Sequence, residues 1–438
     1  MNIRIEAAKC LRRIFNEEAF ANRLVNAKLS EGNIESRDRG LFTELVYGVL
    51  RNLYSIDYTI DSLASKGIDS IDPAILNHIR LTVYQMLYLD RVPDHASISE
   101  CMKIVKRIRG KKIAGFVNAL LRKLQREPEK HTFSGSPEER TSELSIRYSH
   151  PEWLVERYLG QFGSEGAEER LQIQNAPPTL TLRVHRGWGT REDLMEILEN
   201  AEIEAVPTAF AKDGIRLAKS QAQAMKALLE EFPDAFIIQD EASQMIVEWL
   251  QPKEDAEILD SCAAPGGKTT HLASLAPEAK ITAIDLHERK LRLIKENCER
   301  LQIQNVTCEK GNAKKELSQT FDQILCDAPC SGLGTIRKNP EIRYRRQPKH
   351  LEEYSQIQKD MLFNLAQFLR PGGILLYSVC SDSTEEGSSV VEAFLQEHPD
   401  FQLAPNTDQH PEWAPFFNEK GMLCITPGPN AEVDGFFA

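Results

Sequence analysis

The chain has 438 residues, 41% hydrophobic and 27% charged, a composition ordinary for globular domains, and its length predicts two or three of them. No apolar run reaches bilayer-spanning length, the N-terminus lacks the apolar core and cleavage site of a secretion leader, and the nine cysteines are odd in number with no C-x-x-C pair. A membrane protein, a disulfide framework and a zinc knuckle are therefore excluded as expectations, and a reducing cytoplasm is expected.

The net charge of −12 argues against a nucleic-acid partner until its distribution is read. Residues 1–130 carry 22 Lys and Arg against 16 Asp and Glu, a basic front end of +6, which leaves −18 for the remainder. A basic module on an acidic body suits an RNA-binding domain joined to a catalytic one.

Residues 1–130 read as an all-helical bundle. Apolar residues recur at three- and four-residue spacing in Ala7–Phe15, Leu41–Leu50, Ile75–Leu89 and Phe116–Leu124. Asp72-Pro73 has the form of a helix start, an acidic cap followed by proline in the first turn. Lys103, Lys106, Arg107, Arg109, Lys111 and Lys112 form the densest basic run and are the candidate phosphate-contacting face. Residues 127–142, polar with Pro128, Gly135 and Pro137, read as a linker.

A small α+β segment follows over about 136–235, with helix at Trp153–Phe162, strand at Leu180–Val184 and helix at Thr190–Asn200. From about 236 to 438 the alternation of short apolar runs with longer helical ones predicts an α/β, Rossmann-like domain with a mostly parallel sheet.

Within it, Ala256–Asp260 reads as a strand. The turn Cys262-Ala263-Ala264-Pro265-Gly266-Gly267-Lys268 follows, and then a helix from about Thr269. Gly266 and Gly267 allow a ligand close to the backbone, and a helix N-terminus offers free N–H groups. The next strand ends in Asp285, placed to accept both hydroxyls of a ribose. The dinucleotide pattern G-x-G-x-x-G is absent. Gly267-Lys268-Thr269 imitates the end of a phosphate loop, but Cys262 stands at its first glycine. S-adenosylmethionine fits better, since it needs a ribose acid and a backbone-lined pocket but no phosphate cradle.

Two further strand ends carry thiols. Phe321–Cys326 leads into Asp327-Ala328-Pro329-Cys330. Ile374–Ser378, entered from Pro371-Gly372-Gly373 after a helix at about Leu351–Leu369, leads into Cys380. Helix-linked parallel strands bring both thiols to the sheet edge that holds the cofactor loop. A thiolate added at C6 of a cytosine turns C5 into a nucleophile able to attack a sulfonium methyl, and Asp327 is positioned to hydrogen-bond N3. The residues alone do not say which thiol attacks. Cys326, Cys424, Cys298 and Cys308 read as small buried hydrophobes, and Cys262 as structural.

The segments 239–244, 262–269, 327–332 and 377–381 resemble the RNA 5-methylcytosine methyltransferases of the NOL1/NOP2/Sun family. The front end resembles the NusB domain, and the middle segment the family's small RNA-recognition-like domain. The resemblance implies that Cys380 is the nucleophile and that Cys330 assists product release. It implies that Asp327 contacts cytosine and cofactor, that Cys262–Lys268 and Asp285 bind S-adenosylmethionine, and that the position of Asn312 faces the adenine. It also implies a cytosine of 16S ribosomal RNA as the substrate and a monomeric enzyme without metal. A transfer RNA substrate and a non-catalytic RNA-binding protein are the alternatives. Three departures stand out: Asn312 where the family has an acid, Val379 before the nucleophile in place of Thr, and Ser383–Gly387 without the usual Pro and Asn. The ending Asp434-Gly435-Phe436-Phe437-Ala438 is one residue short of the family's, so a trimmed final strand is expected.

Overall fold

The computed structural model describes residues 2–131, 133, 140–218, 222–405, 407–428 and 432–438, and these form two compact units. The first unit is Met1–Ala176 with Ile336–Arg345, and the second is Pro177–Thr335 with Arg346–Ala438.

The first unit is helical: α1 (Ile3–Asn16), α2 (Ala21–Ser30), α3 (Ser36–Arg51), α4 (Leu53–Leu63), α5 (Pro73–Tyr88), α6 (Asp94–Arg126), α7 (Arg140–Tyr148) and α8 (Glu152–Asn175). The apolar stripes seen in the sequence supply its core. Leu11, Phe42, Leu45, Leu50, Ile56 and Ile60 are fully buried in it, each worth roughly 1.5–3 kcal/mol relative to exposure. Asp72 caps α5 as expected, its Oδ1 accepting from the Ala74 N–H at 2.9 Å. The basic run lies on α6, which breaks at Gly110, where φ is +80°. Of the expected linker, residues 128–130 form a short turn, while 132 and 134–139 lie outside the described residues. The first unit extends to Ala176, whereas the sequence reading starts the middle segment at about 136. The reason is local: the Ser149 hydroxyl accepts the Tyr54 and Ser55 N–H groups at 3.1 and 3.3 Å, tying the α7–α8 turn to the start of α4.

The second unit opens with β1 (Leu180–Val184), α9 (Arg191–Asn200), β2 (Ala205–Pro207), β3 (Gly214–Leu217), α10 (Ala222–Glu231) and β4 (Phe236–Ile238). They build an antiparallel sheet of order β2-β3-β1-β4. Helix α11 (Glu241–Leu250), capped by Asp240, leads to the larger sheet.

That sheet contains β5 (Glu257–Asp260), β6 (Lys280–Asp285), β7 (Val306–Lys310), β8 (Phe321–Asp327) and β9 (Leu369–Ser378), with α12 (Gly267–Leu275), α13 (Glu288–Arg300), α14 (Ile342–Arg345), α15 (Pro348–Ala366) and α16 (Ser388–Glu397) between and after the strands. Its order is β7-β6-β5-β8-β9 and all its pairings are parallel. The chain winds one way from β5 and the other way through β8 and β9, so a crevice opens at the carboxyl ends of β5 and β8. β9 starts five residues before the expected Ile374, because Leu369 already pairs with Phe321 ahead of a register shift. The chain end is a two-residue strand, β11 (Phe436–Phe437), paired with β10 (Cys424–Ile425); Phe437 also bridges Val379.

The α14 segment departs from simple winding. Ile336–Arg345 belongs to the helical unit although it comes from the β8–α15 connection. Arg343 is fully buried there and donates to the carbonyls of Tyr148, Ser149 and Gln174 and to Asn175 Oδ1. Tyr344 donates to the Leu50 carbonyl at 2.6 Å, and Arg345 to those of Ile14 and Ala19. Glu341 Oε1 accepts the Ala21 N–H at 2.9 Å. Among the described residues no helix is long and apolar enough to cross a membrane, and no group of three or more His, Cys, Asp or Glu is arranged to hold a metal ion.

Candidate active site

The turn after β5 is set by its residue types. Gly266 takes a left-handed φ of +102°, and a Cβ there would approach Ile294 Cα to 3.1 Å. Helix α12 begins at Gly267, two residues earlier than expected, and Thr269 donates to Asp260 Oδ2 at 2.7 Å. Burial pushes the Asp260 carboxyl up to about 7.

A cleft of about 340 Å³ lies beside this turn, lined by Ser261, Cys262, Ala264, Asp285, Asn312 and Asp327 among others. Asp285 ends β6, its Oδ1 accepting the His287 N–H at 2.9 Å. Gly311 sits on the cleft wall, where a Cβ would meet Ile284 Cβ at 2.9 Å. Asn312 Oδ1 accepts the Lys314 N–H at 2.9 Å, so its amide oxygen already closes its own turn. Burial raises the Cys262 thiol well above its ordinary value. Ala263, Pro265, Gly266, Gly267 and Lys268 lie outside the cleft lining; they shape the turn and the start of α12.

Lys268 links the cofactor turn to the end of β8. Its Nζ donates to Asp327 Oδ2 at 2.8 Å and lies 5.0 Å from the centre of the Phe436 ring. Burial by itself would lower this ammonium, but Asp327, with a smaller contribution from Cys380, raises it on balance. Asp327 Oδ1 accepts the Ser378 hydroxyl at 2.9 Å.

The two thiols meet. Cys330 Sγ and Cys380 Sγ are 3.2 Å apart, although the residues are 50 positions apart in sequence. The Cys330 thiol is raised well above its ordinary value, first by its hydrogen bond with Cys380 and then by burial, so Cys330 retains its proton in the pair. Cys326 is fully buried and Cys298 nearly so, while Cys308 and Cys424 are half-buried.

Several residues of this site escape sequence reading. Arg183 on β1 is fully buried and donates to Gln239 Oε1 at 2.5 Å, to the Gly267 carbonyl at 2.6 Å and to Thr270 Oγ1 at 3.0 Å, anchoring the small sheet to the start of α12. Burial pushes its guanidinium down to about 9. Nothing in a strand sequence marks such an arginine, although the Gln239–Gln244 motif holds its partner. Behind the thiols, Glu386, Ser331 and Ser381 are also fully buried; a serine follows each cysteine, which was the available signal.

Comparisons with known proteins agree with this architecture. The NusB family matches residues 1–126, the RsmF/B-like ferredoxin-like domain matches 150–223, and the 16S rRNA methyltransferase RsmB/F family matches 247–438. The chain is 36% identical over 449 aligned residues to the probable ribosomal RNA small subunit methyltransferase B of Bacillus subtilis (strain 168), covering 100% of this chain and 97% of that protein. It is 33% identical over 381 residues to the ribosomal RNA small subunit methyltransferase B of Serratia proteamaculans (strain 568), covering 86% of each. The crystal structure of PH0851 superposes with a TM-score of 0.82 at 25% identity, covering 100% of this chain and 98% of that one. A NusB-type helical domain, a ferredoxin-like middle domain and a Rossmann-like domain therefore follow one another, and the chain belongs to the ribosomal RNA small subunit methyltransferase B family.

Proposed function

We propose that this protein transfers a methyl group from S-adenosylmethionine to C5 of a cytosine in 16S ribosomal RNA, through a covalent bond between Cys380 and cytosine C6. The observation that carries the reading is the 3.2 Å approach of Cys330 and Cys380 beside the Lys268–Asp327 pair, at the sheet edge that bears the Asp285 cleft.

The cleft suits the cofactor. Asp285 offers a carboxylate for a ribose diol, and Gly311 lets the cleft wall pack directly against Ile284, where a Cβ would clash. Cys262, Ala264 and Asn312 line the remainder, and the turn Ala263–Lys268 holds the loop against α12. When bound, S-adenosylmethionine supplies an electrophilic methyl group.

The chain's own residues do the rest. The Cys380 sulfur forms a bond to C6, and the C5=C6 electron pair becomes available at C5 for the methyl. A proton taken up from solvent onto N3, and hydrogen-bonded there to the Asp327 carboxylate, draws electron density from the ring and favours that addition. Lys268, a buried cation paired with Asp327, holds that carboxylate in place beside the thiol pair. After transfer, a water molecule takes the C5 proton, the C5–H electron pair re-forms the C5=C6 bond, and the Cys380 sulfur leaves C6 with the electrons of its bond. Cys330, adjacent to the leaving sulfur and proton-bearing, assists that release. The target base must be unstacked to reach this edge.

Under this reading residues 1–130 form the RNA-binding helical domain, 136–235 the middle domain and 236–438 the transferase, in a cytoplasmic monomer that uses no metal. The test is methyl transfer from radiolabelled S-adenosylmethionine to unmodified 16S RNA and to transfer RNA, with chromatography of the nucleosides. Labelled 5-methylcytidine from 16S RNA, abolished by Cys380→Ala, is expected; label in another nucleoside, or only in transfer RNA, overturns the proposal.

A further inference from the structure

We infer that Glu386 is a positioning residue that clasps the two thiol loops together and sets the spacing of Cys330 and Cys380. The inference deepens the two-thiol reading above and rests on it for its catalytic meaning.

Glu386 is fully buried two residues before the start of α16, and its carboxylate accepts from both thiol loops. Oε1 accepts the Ser331 N–H at 2.7 Å and the Gln358 amide at 3.2 Å. Oε2 accepts the hydroxyls of Ser331 at 2.5 Å, Ser381 at 2.8 Å and Ser383 at 3.1 Å. Ser331 directly follows Cys330, and Ser381 directly follows Cys380. The same Gln358 amide also reaches the Pro329 carbonyl at 3.0 Å, on the other side of Cys330. Tyr377, three residues before Cys380, donates its hydroxyl to the Glu386 carbonyl at 2.5 Å. One buried residue therefore holds both loops from behind the sulfurs.

The chemistry distinguishes this role from acid–base catalysis. A carboxylate has about four lone-pair sites, and five donors already converge on this one, so no acceptor capacity is left for a substrate proton. Its hydrogen bonds go to the residues flanking the thiols and to α15, not to either sulfur. Charge-assisted hydrogen bonds are about twice as strong as neutral ones, which suits a clasp that must hold two loops from different strands. An error of about 1 Å in the reacting groups can cost about a hundredfold in rate.

The experiment reads the thiol spacing directly. Diamide oxidises a close thiol pair: Cys330 and Cys380 each lose a proton and an electron, the S–S bond forms, and the N=N bond of diamide is reduced to a hydrazine. The initial rate of this crosslink, followed by mass spectrometry of peptides, is compared in the full-length wild type, Glu386→Ala, Glu386→Gln and Ser381→Ala. Serine hydroxyls can turn to accept from an amide, so Glu386→Gln retains the clasp and stays within about threefold of wild type. Glu386→Ala crosslinks about tenfold more slowly, and its kcat falls in step while KM for S-adenosylmethionine is unchanged. A folded Glu386→Ala that crosslinks at the wild-type rate overturns the inference. If that variant does not fold, Ser381→Ala decides, with slower crosslinking in support and an unchanged rate against. The crosslink does not depend on which base is methylated, so failure of the clasp and failure of the proposed reaction are separable.

Discussion

Breaking the Lys268–Asp327 pair is the sharpest test of how this site is held. Nζ and Oδ2 are 2.8 Å apart, with the lysine side chain 10% exposed and the aspartate 29%. Removing one partner of a buried pair typically costs about 3–5 kcal/mol, because the survivor is left uncompensated. The two sides are not equal here. Lys268→Met leaves Asp327 with the Ser378 hydroxyl and a path to water, so a cost of about 2–3 kcal/mol is expected. Asp327→Asn leaves a more deeply buried ammonium with only an amide oxygen and the Phe436 ring, so about 3–4 kcal/mol is expected. The double variant should recover about 2 kcal/mol of the summed losses. The assay is urea unfolding followed by tryptophan fluorescence, to which Trp188, Trp249 and Trp413 of the second unit contribute. A coupling below about 0.5 kcal/mol, or a costlier lysine than aspartate substitution, would refute the reasoning that this pair is a desolvated strut.

Cys330→Ala should accumulate a covalent RNA adduct stable to denaturing electrophoresis, whereas Cys380→Ala should form none; the reverse pattern swaps the two roles. Asp260 gives a pH signature. Burial raises its carboxyl from 3.8 to about 7, so the native chain binds that proton more tightly than the unfolded chain. Its contribution is full below pH 4 and is lost as pH rises through 7. The stability of Asp260→Asn relative to wild type should therefore increase between pH 5 and pH 8, by no more than about 4 kcal/mol, as read from thermal melts; a flat difference contradicts the assignment. Gly311→Ala should weaken S-adenosylmethionine binding about tenfold by calorimetry, because its Cβ would press Ile284 at 2.9 Å into the cleft wall. Arg343→Met should lower the stability of the helical unit by about 3 kcal/mol, since it removes the buried donors to the Ser149 and Gln174 carbonyls and to Asn175 Oδ1.

The sequence by itself determined which of the main elements form and in what order, though not their ends: β9 and α12 both start earlier than their apolar runs suggest. Three-and-four spacing of apolar residues gave the helices around Phe42 and Leu45, short apolar runs gave β5, β6 and β8, and glycine and proline punctuation gave the turns at Gly266 and Pro329. Those are local properties, readable because propensity, capping and periodicity act within a few residues. Parallel winding also follows from order along the chain, so the common edge of Asp285, Asp327, Cys330 and Cys380 was legible as a direction. Only the tertiary structure decided the distances. That two sulfurs 50 residues apart lie 3.2 Å from one another depends on the register of β8 with β9 and on buried polar bonds through Glu386, which no local pattern encodes. The capture of Ile336–Arg345 by the helical unit and the reach of Arg183 to the Gly267 carbonyl are of the same kind. Each trades the hydration of a charged or polar group for partners supplied from remote parts of the chain, and such partners exist only once the chain has folded.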